Sequence, residues 1–211
     1  MSEFAGIVSR DGSPLDPVLV DGVLAGLARF GAASVVSGGP RHALLRAETS
    51  PAPAGTGWSA GPPVVAFARL DGRAELAREL RAAGAQPGAT DPELIAAAYA
   101  AWGEECCRHL LGDFCFLLWD EARGALFAAG DPLGVRRLYH AEAGGAVVVA
   151  GSLRALLAVP GVPRELDHRF VGDLLLFGAN REPAWTAYRA IAALPPAHAL
   201  TAGPGGVRTA R

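Results

Sequence analysis

The stretch GDFCFLLWDEARGALFAAGDPLGVRRLYH, Gly112–His140, decides how the rest of the chain is read. Within it FCFLLWD (114–120) and ALFAAGD (125–131) are apolar runs of strand length, and the polar EARG (121–124) between them ends in the glycine of a tight hairpin turn. Phe114 and Phe116 alternate with Cys115, as residues on opposite faces of a strand do. Gly112 and Gly134 suit close backbone approach or positive φ, and Trp119-Asp120 sits where one strand turns into the next.

Working outward, AVVVAG (146–151) predicts a further strand, followed by a helix from Ser152, another after Asp167, and strands around YRAIAAL (188–194) and HALTA (198–202). Upstream, TDPELIAAAYAAWG (90–103) predicts a helix with Thr90 and Glu93 in capping-box spacing and Pro92 in the first turn. AELARELRAAG (74–84) predicts another, with Leu76 and Leu80 on one face and Gly84 past its end. FAGIV (4–8) predicts a buried strand, the segment from Asp16 to about Phe30 an amphipathic helix, and residues 32–48 two short strands broken by SGGPR. PAPAGTGWSAGPP (51–63) is expected to be a loop leading into the strand VVAFARL (64–70). Adjacent hairpins with helices in separate blocks make an α+β fold, because the regular βαβα alternation of a doubly wound sheet is missing.

The chain has 211 residues, enough for one domain with a sizeable core, and its formal net charge of −2 offers no broad attraction for nucleic acid or an anionic membrane. Its 19 basic residues are all arginine, which removes Schiff-base chemistry and the phosphate-loop lysine. Cys106, Cys107 and Cys115 have neither an even count nor metal-ligand spacing and no signal segment precedes them, so they read as reduced, buried thiols of a cytoplasmic protein with no metal site. The longest strongly apolar stretch, LIAAAYAAW (94–102), falls far short of the ~18 residues of a membrane span.

The run from Thr90 to Tyr139 resembles the glutaminase domain of asparagine synthetase-like enzymes, a class II glutamine amidotransferase. The matching residues are Asp91, Trp102-Gly103, Leu110, Gly112-Asp113-Phe114, Phe116, Trp119-Asp120, Asp131, Gly134 and Leu138-Tyr139. Ser152-Leu153 before Ala155-Leu156-Leu157, GVPRELD (161–167) and TAYRAIAALPPAHAL (186–200) are similar to the family's later segments in order and spacing. The resemblance implies an N-terminal-nucleophile hydrolase fold, a four-layer αββα sandwich of two antiparallel sheets. It assigns residues 1–203 to a glutaminase-like domain and 204–211 to the start of a linker or C-terminal tail.

An active member begins Met-Cys-Gly-Ile, and the cysteine freed by removal of Met attacks glutamine with its own amine as base. Here Gly6-Ile7 aligns with that Gly-Ile and puts Ala5, which has no nucleophilic atom, at the nucleophile position. Ser2 would be N-terminal after loss of Met1 but lies three residues upstream of that register, about 10 Å of extended chain. The family's Asn-Gly-Glu, implied to contact oxyanion and substrate, maps onto Phe67, Ala68 and Arg69, and its pocket arginine has only Arg41 or Arg46 as candidates. Asp91 is the retained position able to hold an amino group, with an equal claim as a helix N-terminal charge. The arginine of the usual Arg-Asp pair is Gly130.

These readings imply a glutaminase-like domain without catalysis, belonging to an ATP-dependent amide-forming enzyme of the β-lactam synthetase or lasso-peptide cyclase type. The alternatives are a Ser2-dependent amidohydrolase and a free-standing pseudoenzyme scaffold. ATP and Mg are expected only in a synthetase domain or partner chain, since Ser37-Gly38-Gly39 is followed by Pro40, Arg41 and His42 and reads as a turn. The expected partner is that synthetase domain or chain, docked on an apolar surface around Leu194–His198, with a homodimer also open.

Overall fold

The computed structural model describes residues 3–48, 56–60 and 62–211. Strand β1 (Glu3–Ser9) leads to α1 (Pro17–Leu27), then β2 (Ala32–Gly39), β3 (His42–Glu48), β4 (Thr56–Ala60) and β5 (Pro63–Asp71). Helices α2 (Arg73–Ala82) and α3 (Asp91–Trp102) come next, followed by a short 3-10 segment (Gly103–His109). Strands β6 (Leu111–Asp120), β7 (Ala125–Gly130), β8 (Tyr139–Ala143) and β9 (Ala146–Ala150) precede α4 (Leu153–Leu157) and α5 (His168–Phe177). The chain closes with β10 (Ile191–Ala193), β11 (Ala199–Gly203) and β12 (Gly206–Ala210).

The strands form two six-stranded antiparallel sheets, ordered β10-β8-β9-β1-β3-β2 and β12-β11-β7-β6-β5-β4. Their inner faces meet through Phe4, Val8, Leu44, Val65, Cys115, Leu117, Trp119 and Leu126. Leu19, Val23 and Leu27 of α1 and Leu156 of α4 cover the outer face of the first sheet. Leu76 and Leu80 of α2 and Leu94, Ile95 and Tyr99 of α3 cover the outer face of the second. The result is a four-layer αββα sandwich, with β1 lying over β7 and β11 and β3 over β5.

Local chemistry accounts for the element ends. Asp16 caps α1 by accepting from the Val18 N–H, Thr90 and Glu93 form the capping box of α3, and Ser152 caps α4. Gly112 has φ +124°, and a Cβ there would lie 2.2 Å from the Arg69 carbonyl oxygen of the neighbouring strand. Gly134 has φ +64°, with Pro196 against it.

Several expectations need correction. TGWSA, expected in a loop, is β4, because its backbone completes a ladder with β5 from Thr56↔Phe67 to Ala60↔Pro63; residues 51–55 of that loop lie outside the described residues. Ser37-Gly38-Gly39 belongs to edge strand β2 and the reversal comes at Pro40-Arg41. Residues 204–211, expected to begin a tail, make the turn and edge strand β12 paired with β11. Leu194 is buried between the sheets, so the largest apolar side chain of the segment expected to dock is not at the surface, although Pro195–His198 stay half-buried or exposed. The exposed apolar side chains gather instead on α5. Among the described residues no helix is long and apolar enough to cross a membrane.

Candidate functional site

The start of β1, the middle of β5 and β6, and the loop after β7 converge at one end of the sandwich. Phe4 packs with Phe67 and Cys115 in the layer between the sheets. Phe67 pairs with Cys115 and Arg69 with Asp113 across the β5–β6 ladder. The Arg136 guanidinium covers the Phe67 ring at 4.2 Å, and Arg69 reaches solvent. Ala68, alternating with them, points to the other face of its sheet and is buried under the α2–α3 layer.

Ala5 is not brought to this mouth. Its side chain is fully buried on the opposite face of β1 from Phe4, among Leu45, Val148, Ala150 and Leu156, and its backbone is locked between β3 and β9. The residues of β1 nearest the mouth are Glu3 and Phe4; Ser2 lies outside the described residues. Burial raises the affinity of the Glu3 carboxyl for its proton, opposed by the Phe4 N–H, the Ser152 hydroxyl and the charge of Arg136.

The cavity lined by Glu3, Phe4, Arg46, Glu48, Gly57 and Val65 measures about 20 Å³, room for about one water, whereas ligand pockets run to roughly 300–1,000 Å³. Arg46 is held by Glu48 at 2.5 Å and lies over the Trp58 ring at 5.6 Å. Arg41 lies in the reversal between β2 and β3.

Asp91 stands at the first turn of α3, where its negative charge is favoured by the helix N-terminus. Its carboxylate already has partners: Arg73 donates to Oδ1 at 2.5 Å and the Leu70 N–H to Oδ2 at 3.2 Å. Arg73 also donates to the Ala89 carbonyl. An incoming ammonium would have to displace a cation of the same chain.

Asp131 is buried and organises the loop that carries Arg136. Its Oδ1 accepts from the Leu133 and Val135 N–H groups, and its backbone carbonyl from Gly134 and Ala197. Its Oδ2 has no hydrogen-bond partner, and Gly130 beside it supplies no cation. The thiols offer no substitute nucleophile. Cys115 is pushed up to about 12, chiefly by burial, and Cys106 is raised by its contact with the Cys107 thiol and by burial. Among the described residues no three His, Cys, Asp or Glu side chains are grouped to hold a metal ion.

Sequence reasoning missed Arg73, Arg136 and Glu3. Arg73 carries a signal in hindsight, three residues beyond Leu70 in a turn that ends beside Asp91. The Arg136–Phe67 stack joins residues far apart in the chain and has no local signature.

Residues 72–211 match the profile of the glutamine amidotransferase domain. The chain belongs to that family. It is 36% identical over 134 residues to asparagine synthetase (glutamine-hydrolyzing) 3 of Bacillus subtilis, covering 63% of this chain and 22% of that protein. It is 40% identical over 100 residues to a putative asparagine synthetase of Mycobacterium bovis, covering 45% of this chain and 15% of that protein. The chain thus spans about a fifth or less of these relatives. Among solved structures, the allosteric regulatory enzyme of purine biosynthesis superposes with a TM-score of 0.60 at 17% identity, covering 99% of this chain and 48% of that one. Glutamine phosphoribosylpyrophosphate amidotransferase of Bacillus subtilis gives 0.51 at 18%, covering 99% and 42%. These likenesses identify the fold as the two-sheet sandwich of N-terminal-nucleophile amidotransferases.

Proposed function

We propose that this domain is a glutaminase-like domain that does not hydrolyse glutamine and serves as a contact domain for an ATP-dependent amide-forming enzyme. The reading rests on one observation: the mouth between the sheets presents Phe67 under Arg136, with Arg69 beside it, where the family resemblance implies an oxyanion donor and a carboxylate. A cation there repels the ammonium of glutamine, and a phenyl ring stabilises no oxyanion. Loss of ammonia production suits a ligase whose substrate carries its own amine, as in the β-lactam synthetase and lasso-peptide cyclase types. ATP and Mg would then belong to the synthetase domain or chain that is the partner.

The test is ammonia release from glutamine by the purified chain, with a rate indistinguishable from background expected. A second reading, a Ser2-dependent amidohydrolase, is favoured by the burial of Ala5 away from the mouth and the approach of Glu3 and Phe4 to it, since Ser2 precedes Glu3 in the chain. Release that disappears in Ser2→Ala would establish that reading and overturn the first.

A further inference from the structure

Helix α5 has no buried residue, although it carries the largest concentration of apolar side chains at the surface. Leu174 is 48% exposed, Leu175 80%, Leu176 77% and Phe177 56%. Only its first half touches the body, with Phe170, Val171 and Asp173 half-buried. A helix of ten residues is marginal in water on its own. What holds it in place is a set of local clamps. Asp167 caps it and binds the Arg169 guanidinium at 2.7 Å, Arg169 stacks on Trp185 at 4.5 Å, and Arg181 stacks on Phe177 at 4.2 Å. Gly178, in the left-handed region, ends the helix.

We propose that the apolar end of α5 is the docking surface for the synthetase-type partner, an inference that rests on the contact-domain reading above. The size of the patch, the charges around it and its place in the fold select the occupant. Leu175 faces outward with Leu174 and Leu176 about 100° to either side, and these three present on the order of 300 Å² of apolar surface, the scale of the largest, often functional, patch on a monomer, while Phe177 turns away under Arg181. Two copies pairing through α5 alone would bury roughly 600 Å² in total, below the ~1,200 Å² of a specific interface. A second copy is therefore a poorer occupant than a larger body that also reaches the flanking surface.

Three arginines around it are paired, Arg169 with Asp167, Arg181 with Asp173 and Arg189 with Glu165, while Arg164 donates to the Leu157 carbonyl. That rim leaves no cationic field for nucleic acid or an anionic lipid surface and has the apolar-centre, polar-rim layout of a protein interface. α5 leads into β10, an edge strand on the same side of the sandwich as β12. The curated relatives devote most of their length to regions outside the match, 78% of it in the first case given 22% coverage. A second body beside this domain is thus the rule among them.

The test uses Leu175→Asp with Leu176→Asp, both at exposed positions, and Val18→Asp on α1, 62% exposed, as a control. Binding to the purified synthetase-type ligase of the same organism is measured by titration. Where the ligase is part of the same polypeptide, the intact polypeptide is used and hydrogen exchange of residues 168–177 replaces the titration. The expected result is binding by the unmodified chain with protection of those amides, weakened about 100-fold in the double variant and unchanged in the control. A melting temperature that does not fall confirms that the variant is folded, and the amide protection reads the contact without any substitution. Binding undiminished in the double variant, with no protection of α5, would overturn the proposal while leaving the contact-domain reading intact. So would a dimer of the chain alone, or binding to anionic vesicles, that the double variant abolishes. Absence of any binding or protection overturns it together with the contact role, whereas undiminished binding in the double variant overturns only the placement on α5.

Discussion

Strands β5 and β6 run side by side through eight residue pairs, from Val64↔Leu118 to Asp71↔Leu111, yet they carry opposite kinds of information. In β6 nearly every motif residue answers a structural demand. Gly112 lets the neighbouring backbone approach, Phe114 and Phe116 are buried under α3, and Asp120 accepts from the Tyr99 hydroxyl at 2.9 Å. In β5 the side chains at 67 and 69 meet no such demand: Phe67 is half-buried and Arg69 exposed. A β-ladder is held by backbone groups, so residues that serve chemistry alone can change without disturbing the register. The fold is therefore carried by β6, and the proposed loss of substrate contacts falls on β5, where the ladder does not depend on the side chains at 67 and 69.

The strongest way to break this contrast is Gly112→Ala. A Cβ placed 2.2 Å from the Arg69 carbonyl, at φ +124°, forces the two strands apart. The expected loss is about 3–5 kcal/mol in urea unfolding. Gly172 in α5 has open space around it, so Gly172→Ala should stabilise by up to about 1 kcal/mol and serves as the control. Equal effects at the two sites would remove the structural account of the β6 motif.

Gly134→Ala should be milder. The clash is with the Pro196 ring at 2.8 Å rather than with a strand backbone, and the left-handed φ adds strain, so a loss of about 1–2 kcal/mol is expected. The same measurement on Phe67→Asn should give about 1 kcal/mol, from the Arg136 stack and partial burial. Its glutaminase rate should stay at background, because Arg69 remains beside it. Ammonia release by this variant would show that β5 had been assigned the wrong role.

Legibility follows the same division. The hairpin of β6 and β7, the capped α3 and the helix carrying Leu76 and Leu80 were readable because each is specified by neighbours in sequence. Edge strands β4 and β12 were not: TGWSA and GVRTA are too polar and glycine-rich to signal a strand and are ordered by pairing with β5 and β11. At the site, the place of positions 67–69 on a strand could be counted back from Leu76. The orientation of Ala5 could not, since a one-residue alternation along β1 decides which layer a side chain enters. The Arg73–Asp91 pair likewise depends on where β5 ends beside α3. Leu194 was expected at the surface because proline-flanked apolar residues look exposed until the sheets close over them.

Asp91→Asn sharpens the comparison at the other end of β5. Asparagine keeps an acceptor for the Leu70 N–H but leaves Arg73 without its ion pair and removes a charge from the start of α3. A loss of about 0.5–1 kcal/mol is expected, falling with added salt. A much larger loss would mean that Asp91 is structural in the way β6 residues are.

The smallest effect is expected at Glu3, and its sign is set by titration. Burial raises the carboxyl above its ordinary value of 4.5, so the folded chain holds this proton more tightly than the unfolded chain. The contribution of Glu3 to stability is then fully present below pH 4.5 and is lost as pH rises through the higher folded value, because ionisation in the folded chain meets the penalty of burial. Arg136 and the Phe4 N–H offset part of that penalty but do not reverse it. Glu3→Gln should therefore match the unmodified chain in melting temperature near pH 4 and melt higher at pH 7. The mouth is otherwise unchanged, with Phe67 under Arg136, so this gain should come without ammonia release. A variant that melts lower at pH 7 would mean that the ionised Glu3 carboxylate stabilises the mouth through Arg136, making β1 an ordered part of the site rather than a strand end closed over it.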